Sequence, residues 1–239
     1  MIEIIKPTIF PSNILAGVVT ANREDYPIHG FSIKESEYHS APDVDMMRRA
    51  LSMQLGFHPL DMAYQDQVHG DNIKMVDNEY EIGESDAMIS FLRRKILNVA
   101  IADCAGILIY CPDKKMIAAV HSGWRGTKQN IVSKTIKKLV KEFDVDPSQT
   151  LVYISPSASV DSYEVGKEFL ELFPKNTIKR DGNYFFDNKK EIQDQLVSNG
   201  IKLKNIEIDK RCTIKDPNLH SFRRDKEAAG RMSAFIVMT

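Results

Sequence analysis

Three residues of this chain could act on one ligand, namely His69, Cys104 and His121. Each stands at the end of an apolar run that reads as a strand, in Gln67-Val68-His69-Gly70, in Asp103-Cys104 and in Val120-His121-Ser122-Gly123. Strands that end in polar side chains hand those side chains to a pocket. Two imidazoles and a thiolate are the number and kind of donors a catalytic zinc takes while a fourth position stays open. Zinc in that role lowers the pKa of water to about 7. The spacings, thirty-five and then seventeen residues, match no short zinc motif. Taken singly, a buried Cys is a small hydrophobe, the reading given to Cys111, and a buried His is a hydrogen-bonded core residue. Taken together beside Gly70, Asp103 and the Gly123/Gly126 loop, they suggest backbone held close to a ligand.

The acids nearest these positions are Asp86 and Asp103. Each adjoins an apolar strand, so partial desolvation would raise its pKa and suit it to proton transfer. The competing reading is a carboxylate accepting backbone N–H bonds in a turn. Arg125, Arg223, Arg224 and Arg231 offer bidentate grips for phosphate or carboxylate, or else plain surface ion pairs. Tyr163 is a stacking platform or a rim residue.

The elements that must position these groups follow from hydrophobic periodicity. Residues 96–102, 105–110 and 116–120 read as consecutive strands around a turn at Pro112-Asp113-Lys114-Lys115. Earlier strands are expected within 2–20, at 62–68, 72–76 and 86–89, with a loop over 22–38 and an acidic loop over 79–85. Ser40-Ala41-Pro42-Asp43 opens a helix whose stripe is Met46, Met47, Ala50, Leu51 and Leu55, stopped at Gly56. The clearest helix is 130–143, with Val132, Ile136, Leu139 and Phe143 at helical spacing. Beyond it lie a strand at 151–154, a short helix from Tyr163 to Phe173, a strand at 184–186, a helix at 188–199 and strands at 206–208 and 234–237. Strands and helices intersperse without strict alternation, which favours mixed-sheet α+β or α/β architecture over a doubly wound parallel sheet.

At 239 residues, 43% hydrophobic and 27% charged, the chain reads as one ordinary globular domain spanning 1–239. A net charge of -1 gives no footprint for nucleic acid or an anionic membrane. Three cysteines without a C-x-x-C fit reduced thiols in a cytosol, and the N-terminus lacks a signal-peptide pattern. The expectation is a cytoplasmic enzyme, monomer or weak dimer, acting on a small molecule. Glycine-rich nucleotide loops, H-E-x-x-H, G-x-S-x-G and the zinc deaminase signature are absent.

Several motifs, in order, resemble the YfiH-like proteins, also called the laccase-domain or polyphenol oxidase family. They are QVHG at 67–70, SDAMIS at 85–90, ADC at 102–104, AAVHSGWRGT at 118–127, SYEVG at 162–166, CT at 212–213 and SFRR…GRM at 221–232. The resemblance implies an α+β domain of mixed β-sheets flanked by helices. It implies a zinc site of His69, Cys104 and His121. Beside that site, the residues read above give Cys104, His121 and Asp103 as the catalytic candidates and Arg125, Arg223, Arg224, Tyr163 and Asp86 as the candidates around substrate and phosphate. It also implies phosphorolysis of adenosine, inosine, guanosine and methylthioadenosine, with adenosine deaminase activity. Some members are described instead as peptidoglycan editing factors. The chain departs from the family pattern at Gly106, where most members have Pro. It departs at Ser155-Pro156, where most have Gly-Pro, and at Met47-Arg48, where most have Asn-Arg.

Two further readings stay beside these. A copper polyphenol oxidase would need many imidazoles, usually in H-x-H pairs, and this chain has six His and no such pair. Copper nevertheless outcompetes zinc at such donors, so it could load in vitro. A metal-free hydrolase would use Cys104 as thiolate and His121 as base.

Overall fold

The computed structural model describes every residue except Pro27, Ile28, Asn78 and Glu79. Two six-stranded mixed sheets form its centre. The first runs Ile4–Ile5 (β1), Ile14–Val19 (β2), Met232–Met238 (β15), Ile96–Ile101 (β7), Met62–Asp66 (β3) and Glu81–Glu84 (β5). The second runs Ile206–Ile208 (β14), Leu151–Ile154 (β10), Ala105–Cys111 (β8), Met116–Ser122 (β9), Ala87–Ser90 (β6) and Ile73–Met75 (β4). A small third sheet joins Glu164–Val165 (β11), Asn183–Phe186 (β13) and Thr177–Arg180 (β12). The helices are Ala41–Gln54 (α1), Trp124–Lys128 (α2), Ile131–Phe143 (α3), Phe169–Leu172 (α4), Asn188–Ser198 (α5) and Phe222–Asp225 (α6). Pairing is parallel at β3·β5, β3·β7, β4·β6 and β10·β14 and antiparallel elsewhere, so the sheets are mixed as expected.

The two large sheets face each other, because the period-two alternation of their strands is apolar on both faces. On β8, Leu108 and Tyr110 enter the core between the sheets, while Ile107, Ile109 and Cys111 enter the outer layer beneath α3 and α5. On β15, Ala234, Ile236 and Met238 face inward and Phe235 and Val237 pack under α1. Strands buried on both faces read as continuous hydrophobic runs. That explains why 96–120 is the most apolar part of the chain. Ser40 caps α1 by accepting the Asp43 N–H, and the Asp43 carboxylate accepts the Ser40 N–H in return.

Three expectations change, and two elements appear that were not expected. The acidic loop expected from Glu79, itself outside the described residues, is the strand β5 over Glu81–Glu84. The helix expected from Tyr163 begins instead as β11, and only Phe169–Leu172 is helical. His121 lies inside β9 rather than just beyond it. Strand β12 and helix α2 went unanticipated: Lys179 and Arg180 make β12 polar, and Gly123 and Gly126 make α2 resemble a loop.

Candidate metal centre

The loop after β3, the β7–β8 turn and the end of β9 meet at one edge of the sandwich. The β8–β9 register pairs Gly106 with His121 and Ala105 with Ser122, which puts Cys104 beside His121. The donor atoms of His69, Cys104 and His121 all lie within 4.8 Å of one another, and the two imidazole rings meet edge-on at 4.9 Å. Among the described residues no other set of three His, Cys, Asp or Glu donors gathers this way. His69 and Asp103 adopt left-handed backbone, φ +58° and +85°, conformations that cost a non-glycine residue energy and cluster at functional sites. Gly123 has its own reason to lack a side chain: a Cβ there would sit 2.6 Å from the Cys104 Sγ.

Asp86 ties the two histidines together. It is fully buried, its Oδ1 accepts from the His69 N–H at 3.1 Å and the His121 Nδ1 at 2.8 Å, and its Oδ2 accepts from the Val68 and Gly70 N–H groups. Its own carbonyl accepts the His121 N–H at 2.7 Å. One carboxylate therefore sets the loop that presents His69 and the ring of His121. With Nδ1 donating to Asp86, the His121 Nε2 is the atom left for a metal, the carboxylate–histidine arrangement common behind metal ligands. Two expectations for Asp86 are corrected. It is fully buried behind the two histidines and does not line the cavity. Its pKa is lowered rather than raised: burial pushes it up, but the His121 contact and the backbone N–H bonds outweigh that.

The metal-free cluster is itself polarised. Burial raises the Cys104 thiol, yet the adjoining His121 and His69 bring it down to about 6. Burial lowers His121, yet Cys104 and Asp86 carry it up to about 9. Both shifts run in the direction that favours a Cys104 thiolate facing a His121 imidazolium. A metal needs just that deprotonated sulfur and displaces the imidazolium proton on binding. In donor type, number and support from Asp86, the residues fit a divalent ion of borderline softness.

The cluster floors a cavity of about 460 Å³. Asp103, Arg125, Arg223 and Tyr163 line it, joined by residues that sequence reasoning did not bring to the site: Gln67, Trp124, Phe222, Lys34 and Glu35. Arg231, expected only as a possible anion grip, lines it too. Asp103 accepts from the Thr213 hydroxyl and from the Arg223 N–H, both at 2.6 Å, which fixes its carboxylate beside Cys104. The Arg223 guanidinium lies over the Tyr163 ring, and the Arg125 guanidinium over Trp124. Gln67 bonds the backbone of Ala100 through both side-chain atoms, pinning the loop to β7. Arg224 is corrected. Its guanidinium donates to the carbonyls of Thr213, Ile214, Asp216 and Leu219 and pairs with Asp225, so it holds the 213–219 loop and has nothing left for phosphate. Cys212 accepts from the Ser159 N–H and does not line the cavity.

The family profile described as multi-copper polyphenol oxidoreductase laccase matches residues 23–239. The chain belongs to this family. It is 41% identical over 173 residues to a purine nucleoside phosphorylase of Aquifex aeolicus, covering 72% of this chain and 81% of that one. It is 37% identical over 190 residues to another so named from Clostridium acetobutylicum, covering 76% and 78%. In fold it resembles the hypothetical protein YfiH of Bacillus licheniformis, with a TM-score of 0.89 at 22% identity over 95% of this chain and 93% of that one. YlmD of Geobacillus stearothermophilus follows, with a TM-score of 0.88 at 24% identity over 95% and 92%.

Two departures from the laccase-domain pattern explain each other. The Gly106 N–H donates to the Ser155 Oγ at 2.9 Å. A Pro at 106 would have no N–H to offer, and a Gly at 155 no oxygen to accept it. The third departure is at Met47, whose sulfur accepts the Ser32 N–H at 3.1 Å; Arg48, which the pattern shares, lines a second, smaller cavity. No helix among the described residues is long and apolar enough to cross a membrane.

Proposed function

We propose that the chain is a zinc-dependent purine nucleoside phosphorylase with adenosine deaminase activity, acting as one domain over 1–239 in the cytoplasm. The observation that carries the reading is the His69–Cys104–His121 cluster on the floor of a cavity walled by Trp124, Tyr163, Arg125 and Arg223. The relatives named purine nucleoside phosphorylase support the substrate class. Adenosine, inosine, guanosine and methylthioadenosine share a flat purine and a ribose. Tyr163 and Trp124 offer rings for the one, and Arg125 and Arg223 offer donors to the hydroxyls of the other. Zinc held by His69, Cys104 and His121 would supply Lewis-acid polarisation at the cavity floor.

Phosphorolysis joins a phosphate oxygen to the ribose C1′ and breaks the bond from C1′ to the purine nitrogen, which leaves with the electron pair. Deamination instead adds water at the purine C6 and expels ammonia. Asp103, whose carboxylate accepts from the Thr213 hydroxyl and the Arg223 N–H at the cavity wall, is our candidate to hold or pass a proton at that edge, a role these bonds support. Asp86 orients His121 and the His69 loop from behind. The copper oxidase reading draws less support, because the described residues gather one three-donor set and no H-x-H pair.

A second reading has its own observation: Cys104, His121 and the Asp86 carboxylate stand in the order nucleophile, general base and orienting acid, with a thiolate–imidazolium pair formed once the proton has passed from Cys104 to His121. Zinc content and chelator sensitivity separate the two. Zinc dependence requires about one zinc per chain, lost in Cys104→Ala, with nucleoside turnover removed by chelator and restored by zinc alone. Turnover that survives complete zinc removal but ends on alkylation of Cys104 favours the thiol enzyme.

A further inference from the structure

Beside the metal cavity lies a smaller one of about 140 Å³, which shares Lys34, Gln67 and Ala100 with it. Its deep wall is built from buried polar groups. Gln65 and Asn98 are 8% and 2% exposed, and both line the cavity. The Gln65 Oε1 is occupied by the Ser85 hydroxyl and the Asn98 Oδ1 by the Ser233 hydroxyl. The Gln65 amide nitrogen meets no acceptor, and the Asn98 amide nitrogen has only the Tyr64 hydroxyl beside it, which leaves at least one of its two N–H groups unpaired. A buried donor left unpaired costs about 1–3 kcal/mol, so two in one wall call for an acceptor from outside the chain. The Arg48 guanidinium, which lines the same cavity, sits over the Tyr64 ring at 4.0 Å and spends only its Nε, on the Ile33 carbonyl. Lys34 stands at the shared edge. The deep wall thus offers donors and positive charge, while the acids that line the cavity, Asp66 and Glu81, are solvent-exposed, where water and salt screen them. The volume is well above the roughly 10–15 Å³ that one water needs.

We propose that this cavity binds inorganic phosphate, with Arg48, Gln65 and Asn98 as its donors, and delivers it to a nucleoside in the adjoining metal cavity. The delivery rests on the phosphorylase reading; the binding does not. It also gives Arg48 a role and places the anion away from Arg224, which is fully engaged.

The test is calorimetric titration of inorganic phosphate into the zinc-loaded full chain, its Arg48→Met and Asn98→Asp variants and an Arg223→Met control, with folding checked by thermal melting. Met keeps an apolar stem over Tyr64, and Asp keeps the acceptor that Ser233 uses. Phosphate affinity should fall about tenfold or more in each cavity variant, as expected for losing one charge-assisted bond or reversing its sign, and should hold in Arg223→Met. In steady-state assays the KM for phosphate should rise in Arg48→Met while the KM for nucleoside stays. Absence of phosphate binding to the unaltered protein, or loss in Arg223→Met with none in Arg48→Met, overturns the proposal. Phosphate binding that depends on Arg48 in a protein that cleaves no nucleoside keeps the site and removes the phosphorylase. Phosphorolysis with an unchanged KM for phosphate in both cavity variants does the reverse.

Discussion

At the scale of single residues, the chemistry concentrates on groups whose neighbours have already used their bonds. Asp86 holds four donors and none of them is substrate. Asp86→Asn keeps the shape but cannot accept at both oxygens, so zinc affinity, measured by chelator competition, should fall about 10–100-fold as when other such supporting carboxylates are lost. The metal-free thiol makes a second prediction. Because the histidines hold Cys104 at about 6, alkylation of chelator-treated protein should be fast at pH 7 and decline as the pH drops through about 6, where the thiolate takes up its proton. An alkylation midpoint near the value of an ordinary free cysteine would contradict the ion pair. The gathering of His69, Cys104 and His121 was legible through the motifs QVHG, ADC and HSGWRG taken together, since each residue taken singly reads as a core or loop residue. For Asp86 the structure favours the reading as a carboxylate accepting backbone N–H bonds over the one beside substrate; Arg224 was misplaced because its partners are backbone C=O groups brought in by folding, which no side-chain pattern reveals.

At the scale of elements, the β8–β9 hairpin carries Cys104 at its entry and His121 at its exit, and its seating against β10 and β15 sets their separation. Gly106 is the closest approach, since a Cβ there would meet that of Ala234 at 2.8 Å. Its N–H depends on the fully buried Ser155 hydroxyl. Ser155→Ala leaves that N–H without a partner and should cost about 1–3 kcal/mol in urea unfolding; a change of a few tenths would show that the bond contributes nothing. The helices α1, α3 and α5 and most core strands followed from periodicity. Strand β12 did not, because Ile178 is exposed and Lys179 and Arg180 follow it, leaving no apolar alternation to read. Helix α2 did not either, because two glycines disguise it. That helix presents Trp124 and Arg125 to the cavity, so the missed element and the missed cavity residue are one omission.

At the scale of the whole molecule, the chain closes on itself. The last strand, β15, sits inside the first sheet between β2 and β7, with all seven residues buried. The sheet therefore lacks its middle until residues 232–238 are made, and removing residues 232–239 should abolish the cooperative unfolding transition rather than lower its midpoint. The same closure brings Arg231 and the α6 segment over the metal cavity, while Asp103 in the β7–β8 turn accepts the Arg223 N–H from that segment. The site is thus assembled from residues as far apart as Lys34 and Arg231, which explains why its motifs lie scattered along the chain.

Purine nucleoside phosphorolysis at the His69–Cys104–His121 centre is tested most directly by chromatographic product analysis. Zinc-loaded protein is incubated with adenosine, with and without phosphate, beside a folded Cys104→Ala variant. Adenine with ribose 1-phosphate that forms only with phosphate and disappears in the variant is the expected result, with phosphate-independent inosine as the mark of the accompanying deamination. No turnover of adenosine under either condition, or turnover that Cys104→Ala retains in full, would contradict it.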